Sequence, residues 1–100
     1  MWEFHADYVL SQTYTVNPNK GWALWLTLAP VANSGCTITV YEQTSVLGGF
    51  KEVKSYTLNL NQQLKEKVVA NCNGRAYRVT ITALNGYTQI AGAIHQTEVI

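Results

Sequence analysis

Charge is scarce in this sequence. Only 13% of its 100 residues are Asp, Glu, Lys or Arg, and the formal net charge is +1. That balance excludes a strongly basic nucleic-acid binder and an acidic tail, while 47% apolar residues exclude a disordered chain. Aspartate occurs once, as Asp7, and histidine twice, as His5 and His95. A triad or a metal centre would have to draw on those three, and no short ligand motif groups them. No two of Glu3, Glu42, Glu52, Glu66 and Glu98 stand out as a glycosidase pair. Cysteine occurs twice without a Cys-x-x-Cys pair, which removes the usual zinc and redox signatures. "LGGF" lacks the length and the lysine of a phosphate loop. The longest apolar run, "WALWLTLAPVA", has 11 residues, too few to cross a bilayer. "MWEFHADYVL" carries acids and no basic n-region, so it does not read as a leader. The chain is therefore read as a non-enzyme without cofactor, metal site or membrane span.

What the sequence does have is alternation. Trp2, Phe4, Ala6, Tyr8 and Leu10 share one parity, and Tyr14 and Val16 continue it across a break near Ser11-Gln12. "NPNKG" is a turn, with Pro18 presetting φ and Gly21 free to take a positive one. Trp22, Leu24, Leu26 and Leu28 form an inward face, with Trp25 opposite, and Pro30 ends the strand. Cys36, Ile38 and Val40 face inward and Tyr41 outward. "FKEVKSYTLNL" is a further strand, and 61–70 reads equally as strand or helical turn. Tyr77, Val79, Ile81 and Ala83 form the next inward face, and Asn85-Gly86 signals a type I′ hairpin into "YTQIAGAIHQTEVI". A tyrosine opening such a strand suits a tyrosine corner, its hydroxyl bonding backbone near Asn73 or Gly74. Residues 1–100 thus read as one all-β domain, an antiparallel two-sheet sandwich of six or seven strands.

The order, and "AYRVTITALNG" above all, resembles the immunoglobulin-like and fibronectin type III-like β-sandwiches. "CTITVYEQ", "FKEVKSYTL" and "AYRVTITA" together look like small secreted β-sandwich proteins of Gram-positive bacteria, which implies export and a binding role and supplies no catalytic residues. "NPNKGW" resembles the first loop of the chagasin-type cysteine-protease inhibitors at Asn17, Pro18, Gly21 and Trp22, and Gly48-Gly49 loosely matches the second. The third, Arg-Pro-Trp, is missing.

Cys36 and Cys72 are compatible with one disulfide, worth about 4 kcal/mol by chain entropy, and with a secreted or cell-surface protein whose leader has been removed. A conflict stands beside this. If 36–43, 50–60 and 64–70 are successive antiparallel strands, the two cysteines lie at opposite ends, about 20–27 Å apart.

Function then falls to surfaces. Trp25 and Tyr41 point away from the inward faces, and Val46 and Leu47 sit on a loop tip where exposure without a partner is costly. Lys51 and Arg78 belong to a stretch, 51–78, that holds six of the seven basic residues. Those six residues are the candidate contacts of a non-catalytic module that recognises a protein partner. A loop-borne protease inhibitor and a glycan-binding module are the alternatives. Nucleic acid is not expected, and exposed edge strands allow a homodimer.

Overall fold

The computed structural model describes residues 1–98. Among them are eight strands and no helix: β1 Trp2–Val9, β2 Ser11–Val16, β3 Ala23–Ala32, β4 Cys36–Ser45, β5 Gly49–Leu58, β6 Leu64–Val69, β7 Tyr77–Ala83 and β8 Thr88–Thr97. They form two four-stranded antiparallel sheets, ordered β1-β8-β3-β6 and β2-β7-β4-β5. The sandwich architecture expected from the alternation is present, with eight strands rather than six or seven. The ambiguous segment 61–70 supplies one of them, and the break after Leu10 divides another into two.

The core is the set of inward faces. Leu24, Leu26 and Leu28 of β3 and Ile90 and Ile94 of β8 meet Ile38 and Val40 of β4 and Tyr77, Val79 and Ile81 of β7, all fully buried. Their period-two spacing places each set on one side of its sheet, and burying such side chains stabilises by about 1.5–3 kcal/mol apiece. Gly92 lies between Ile90 and Ile94 and faces the same way. A β-carbon there would overlap the Thr27 carbonyl oxygen and lie 2.9 Å from Leu28 Cα and 3.1 Å from the Phe4 ring.

Four local expectations are corrected. Asn85-Gly86 does not close a hairpin. Gly86 has φ of 65°, but Asn85 is not among the positive-φ residues, and the segment carries the chain from β7 in one sheet to β8 in the other. β8 then lies between β1 and β3, away from β7, unlike the immunoglobulin order in which the last strand joins the sheet of the preceding one. Pro30 does not end its strand. It is buried inside β3, opposite Ile90, where β6 has already stopped at Leu64 and its missing N–H leaves no ladder bond unmade on that side. Tyr8 and Leu10 do not face inward. The β1–β8 register shifts between Ala6 and Val9, and this irregularity buries Val9 and turns its two neighbours to solvent.

Cys36 and Cys72 are not bonded. Both are free and buried, Cys36 paired with Leu58 and Ala83 at one end of the sandwich. Cys72 lies at the other, where its N–H donates to the Trp22 carbonyl at 2.8 Å. β5 and β6 run in opposite directions in different sheets, so the strand-length separation prevails. Burial raises both thiol pKa values, that of Cys36 to about 11.

Candidate functional site

Tyr77 acts as the corner expected of it. Its ring is fully buried, and its hydroxyl accepts from Asn73 N–H at 3.1 Å and donates to Glu42 Oε2 at 2.6 Å. Burial is the main cause, and the Glu42 hydrogen bond the second, of a phenol pKa far above its ordinary value. Around this corner the 72–76 loop braces the overhang of the β4–β5 hairpin. Asn73 Nδ2 donates to the Gln43 carbonyl at 2.9 Å, Arg75 Nη1 to the Thr44 carbonyl at 2.6 Å, and Ala76 N–H to Gln43 Oε1 at 3.1 Å. The braced tip presents Val46 and Leu47, 79% and 96% exposed. The 17–22 turn lies at the same end, since Gly21 N–H donates to the Cys72 carbonyl at 2.8 Å. We call this the hairpin end.

The six residues singled out in the sequence do not form one surface. Tyr41 and Arg78 come together, directly opposite each other on β4 and β7 on the outer face of their sheet. Phe50, which was not anticipated, completes the group, with the Arg78 guanidinium 3.9 Å from its ring centroid. Lys51 follows Phe50 on β5 and pairs with Glu42, on the opposite side of the sheet. Trp25 lies on the outer face of the other sheet, half-buried. Its indole N–H donates to Thr97 Oγ1 at 2.8 Å, the His95 ring stacks on it at 6.0 Å, and Lys67 Nζ lies 5.9 Å from its centroid. The basic strip is thus divided: Lys65 and Lys67 belong to β6 in one sheet, Lys51, Lys54 and Arg78 to the other, and Arg75 to a loop.

Of the residues with acid–base capacity, His5 and Asp7 come together, and His95 stays apart from both. His5 Nε2 lies 3.4 Å from Asp7 Oδ1, and the third partner is the Gln89 amide, donating to Asp7 Oδ1 at 3.0 Å, not a hydroxyl or thiol. His95 lies four residues along β8 from Ala91, the residue opposite His5, a separation of about 13 Å. No group of three metal-ligating side chains gathers among the described residues.

A surface that sequence reasoning missed lies at the end opposite the hairpin. The β1–β2 corner, the β3–β4 loop, the β5–β6 loop and the β7–β8 crossing converge there. Leu10 O accepts from Ala83 N–H at 3.0 Å, Gly35 O from Leu84 N–H at 3.0 Å, and Pro30 O from Asn61 N–H at 2.7 Å. These four segments expose Tyr8, Leu10, Val31, Leu60, Leu84 and Tyr87, and the two tyrosines stack at 4.5 Å. Segments 8–11, 30–35, 58–63 and 83–88 contain no Asp, Glu, Lys, Arg or His. Their polar residues are Asn, Gln, Ser and Thr. The signal was present in the sequence as four turns without charge, but their convergence depends on the topology.

Three comparisons bear on this molecule. No curated protein matches it. Among solved structures, the crystal structure of the Yersinia pseudotuberculosis-derived mitogen superposes with a TM-score of 0.51 at 16% identity, covering 89% of this chain and 86% of that one. At such identity the likeness concerns the fold alone. The sequence also matches the profile of the family described as bacterial phospholipase C, C-terminal domain, over residues 3–92. Since that match takes in every strand from β2 to β7, most of β1 and the first half of β8, the chain belongs to the family of bacterial phospholipase C C-terminal domains.

Proposed function

We propose that residues 1–100 form one non-catalytic binding module, working outside the cell, that docks on a lipid surface through its uncharged end. The observation that carries this reading is the convergence of six exposed apolar side chains in four segments without a charge. A charged side chain resists entry into a bilayer, whereas Leu, Val and paired tyrosines ringed by amides suit the boundary between headgroups and acyl chains. The family's name, phospholipase C, makes a phospholipid surface the reasonable occupant. Each of the six side chains has roughly half its surface left to withdraw from water, about 1 kcal/mol apiece or roughly 6 kcal/mol together. That is a weak, reversible attachment, suited to raising a tethered enzyme's residence at a surface rather than anchoring it. No described helix is long and apolar enough to cross a membrane.

The test is co-sedimentation with zwitterionic phosphatidylcholine vesicles. Binding should persist from about 0.05 to 0.5 M salt, because no charge carries it. It should fall at least about tenfold in Leu10→Asp/Leu84→Asp, since a charge is costly at that depth. Binding that salt abolishes, or that the double variant retains, refutes the reading.

The tip of the β4–β5 hairpin favours a second reading, recognition of a protein. Leu47 is almost wholly exposed on a braced overhang beside the 17–22 turn, a shape suited to a concave partner such as a protease cleft. Inhibition of papain-like proteases, lost in Leu47→Ser, would support it. Absence of inhibition at micromolar protein removes the inhibitor form.

A further inference from the structure

We infer that the hollow beside Arg78 is a binding site for a phosphate monoester, a proposal independent of lipid docking by the uncharged end. The hollow, about 310 Å³, lies on the outer face of the β2-β7-β4-β5 sheet and is lined by Thr13, Tyr41, Phe50, Arg78 and Thr80. It is small for a ligand site, of a size for a phosphorylated alcohol and not for a polymer.

The two arginines of the chain differ in what their donors meet. Arg75 is committed to the Thr44 carbonyl. Among the described residues Arg78 makes no side-chain hydrogen bond, and the only ion pair, His5–Asp7, lies elsewhere. The guanidinium carbon lies over the Phe50 ring, 3.9 Å from its centroid, a contact that holds the charge in place without using its N–H donors. A guanidinium held in that way presents a fork that matches a tetrahedral oxyanion with two parallel hydrogen bonds.

The neighbours supply the rest of the coordination. Thr13 and Thr80 hydroxyls lie 3.0 Å apart and share one hydrogen bond, so one of the two O–H groups still has a proton to donate. The Tyr41 phenol stands opposite Arg78 in register and lines the same hollow. Two hydroxyl sources on different strands plus a fork suit a tetrahedral oxyanion, whose oxygens diverge in three dimensions, better than a planar carboxylate. Glu52, opposite Tyr41 on β5, is the nearest acid in register, and it is not part of the lining. The phosphate could come from a free phosphorylated alcohol or from a lipid headgroup with a terminal phosphate.

The experiment is a two-dimensional NMR titration with sn-glycerol phosphate, together with sedimentation on vesicles containing phosphatidic acid. Amide resonances of Thr13, Tyr41 and Thr80 should shift saturably, with affinity weakened at least about tenfold in Arg78→Lys, which keeps the charge but loses the planar fork. Thr80→Val should weaken binding less, and unchanged circular dichroism establishes that both variants fold. If Arg78→Lys lowers vesicle binding without an effect of the free ester, the headgroup is the source. If it weakens only the free ester, the source is soluble. Absence of localised shifts up to about 10 mM ester together with vesicle binding indifferent to Arg78→Lys overturns the site, as does equal affinity of the wild type and Arg78→Lys for both probes. The Leu10→Asp/Leu84→Asp variant should still bind the ester, so failure of lipid docking leaves this result intact.

Discussion

Replacing Tyr77 by Phe keeps the buried ring and removes one oxygen that joins the 72–76 loop to β4. The lost contacts are a donation to the Glu42 carboxylate at 2.6 Å and an acceptance from Asn73 N–H at 3.1 Å. A hydrogen bond to an ionised group contributes about 1.5–3 kcal/mol, and a neutral one about 1 kcal/mol. Glu42 is only half-buried, so its freed carboxylate can turn to water and recover part of the loss. The expected destabilisation is about 2–3 kcal/mol. For a chain of this size that lowers Tm by roughly 10–20 °C. Urea unfolding followed by tryptophan fluorescence should show a lower midpoint at an unchanged slope, because the surface exposed on unfolding is the same. Glu42→Gln keeps a hydrogen-bond acceptor without charge, so it should cost less. The Tyr77→Phe/Glu42→Gln double variant should cost less than the sum of the two. A Tyr77→Phe protein within about 0.5 kcal/mol of the wild type would refute the assignment of the corner as a structural tie.

Two further outcomes follow from packing and titration. Gly92→Ala should destabilise by several kcal/mol or prevent folding, since the added carbon meets the Thr27 carbonyl and Leu28 Cα, both backbone; thermal melts that leave Tm unchanged would count against the register of β3 and β8. Stability should decline as pH rises above about 9. The folded-state pKa values of Cys36, Cys72 and Tyr77 are raised by burial, so above pH 9 the unfolded chain releases protons that the folded one retains. For Cys36, ordinarily at 9.0 and here about 11, the loss reaches on the order of 2 kcal/mol by pH 11. Urea midpoints at pH 8 and pH 10.5 check it, and equal midpoints would contradict it.

What could be read from the sequence was local. The inward faces of β3, β4 and β7 follow from residues two apart, and the Tyr77 corner closes over four residues, within one turn of chain. The errors came where a local signal is silent about destination. Asn85-Gly86 announces a reversal but not which sheet receives the next strand. Alternation through Tyr8 and Leu10 cannot register a bulge that inverts it. Of the two sites argued above, Tyr41 and Arg78 were recoverable because both point away from buried parities, whereas Phe50 and the uncharged end needed the pairing of strands distant in sequence.

The corner at Leu10 has a mechanical consequence. β1 is the outermost strand of one sheet and β2 the outermost strand of the other, on consecutive stretches of backbone. The first sixteen residues therefore lace the two layers along one flank, as a seam laces two panels of cloth. A protease that removed this ribbon would bare β8 and β7 together, leaving two fresh hydrogen-bonding edges side by side. A second molecule's ribbon, donated intact, has the right length and pattern to mend both at one stroke.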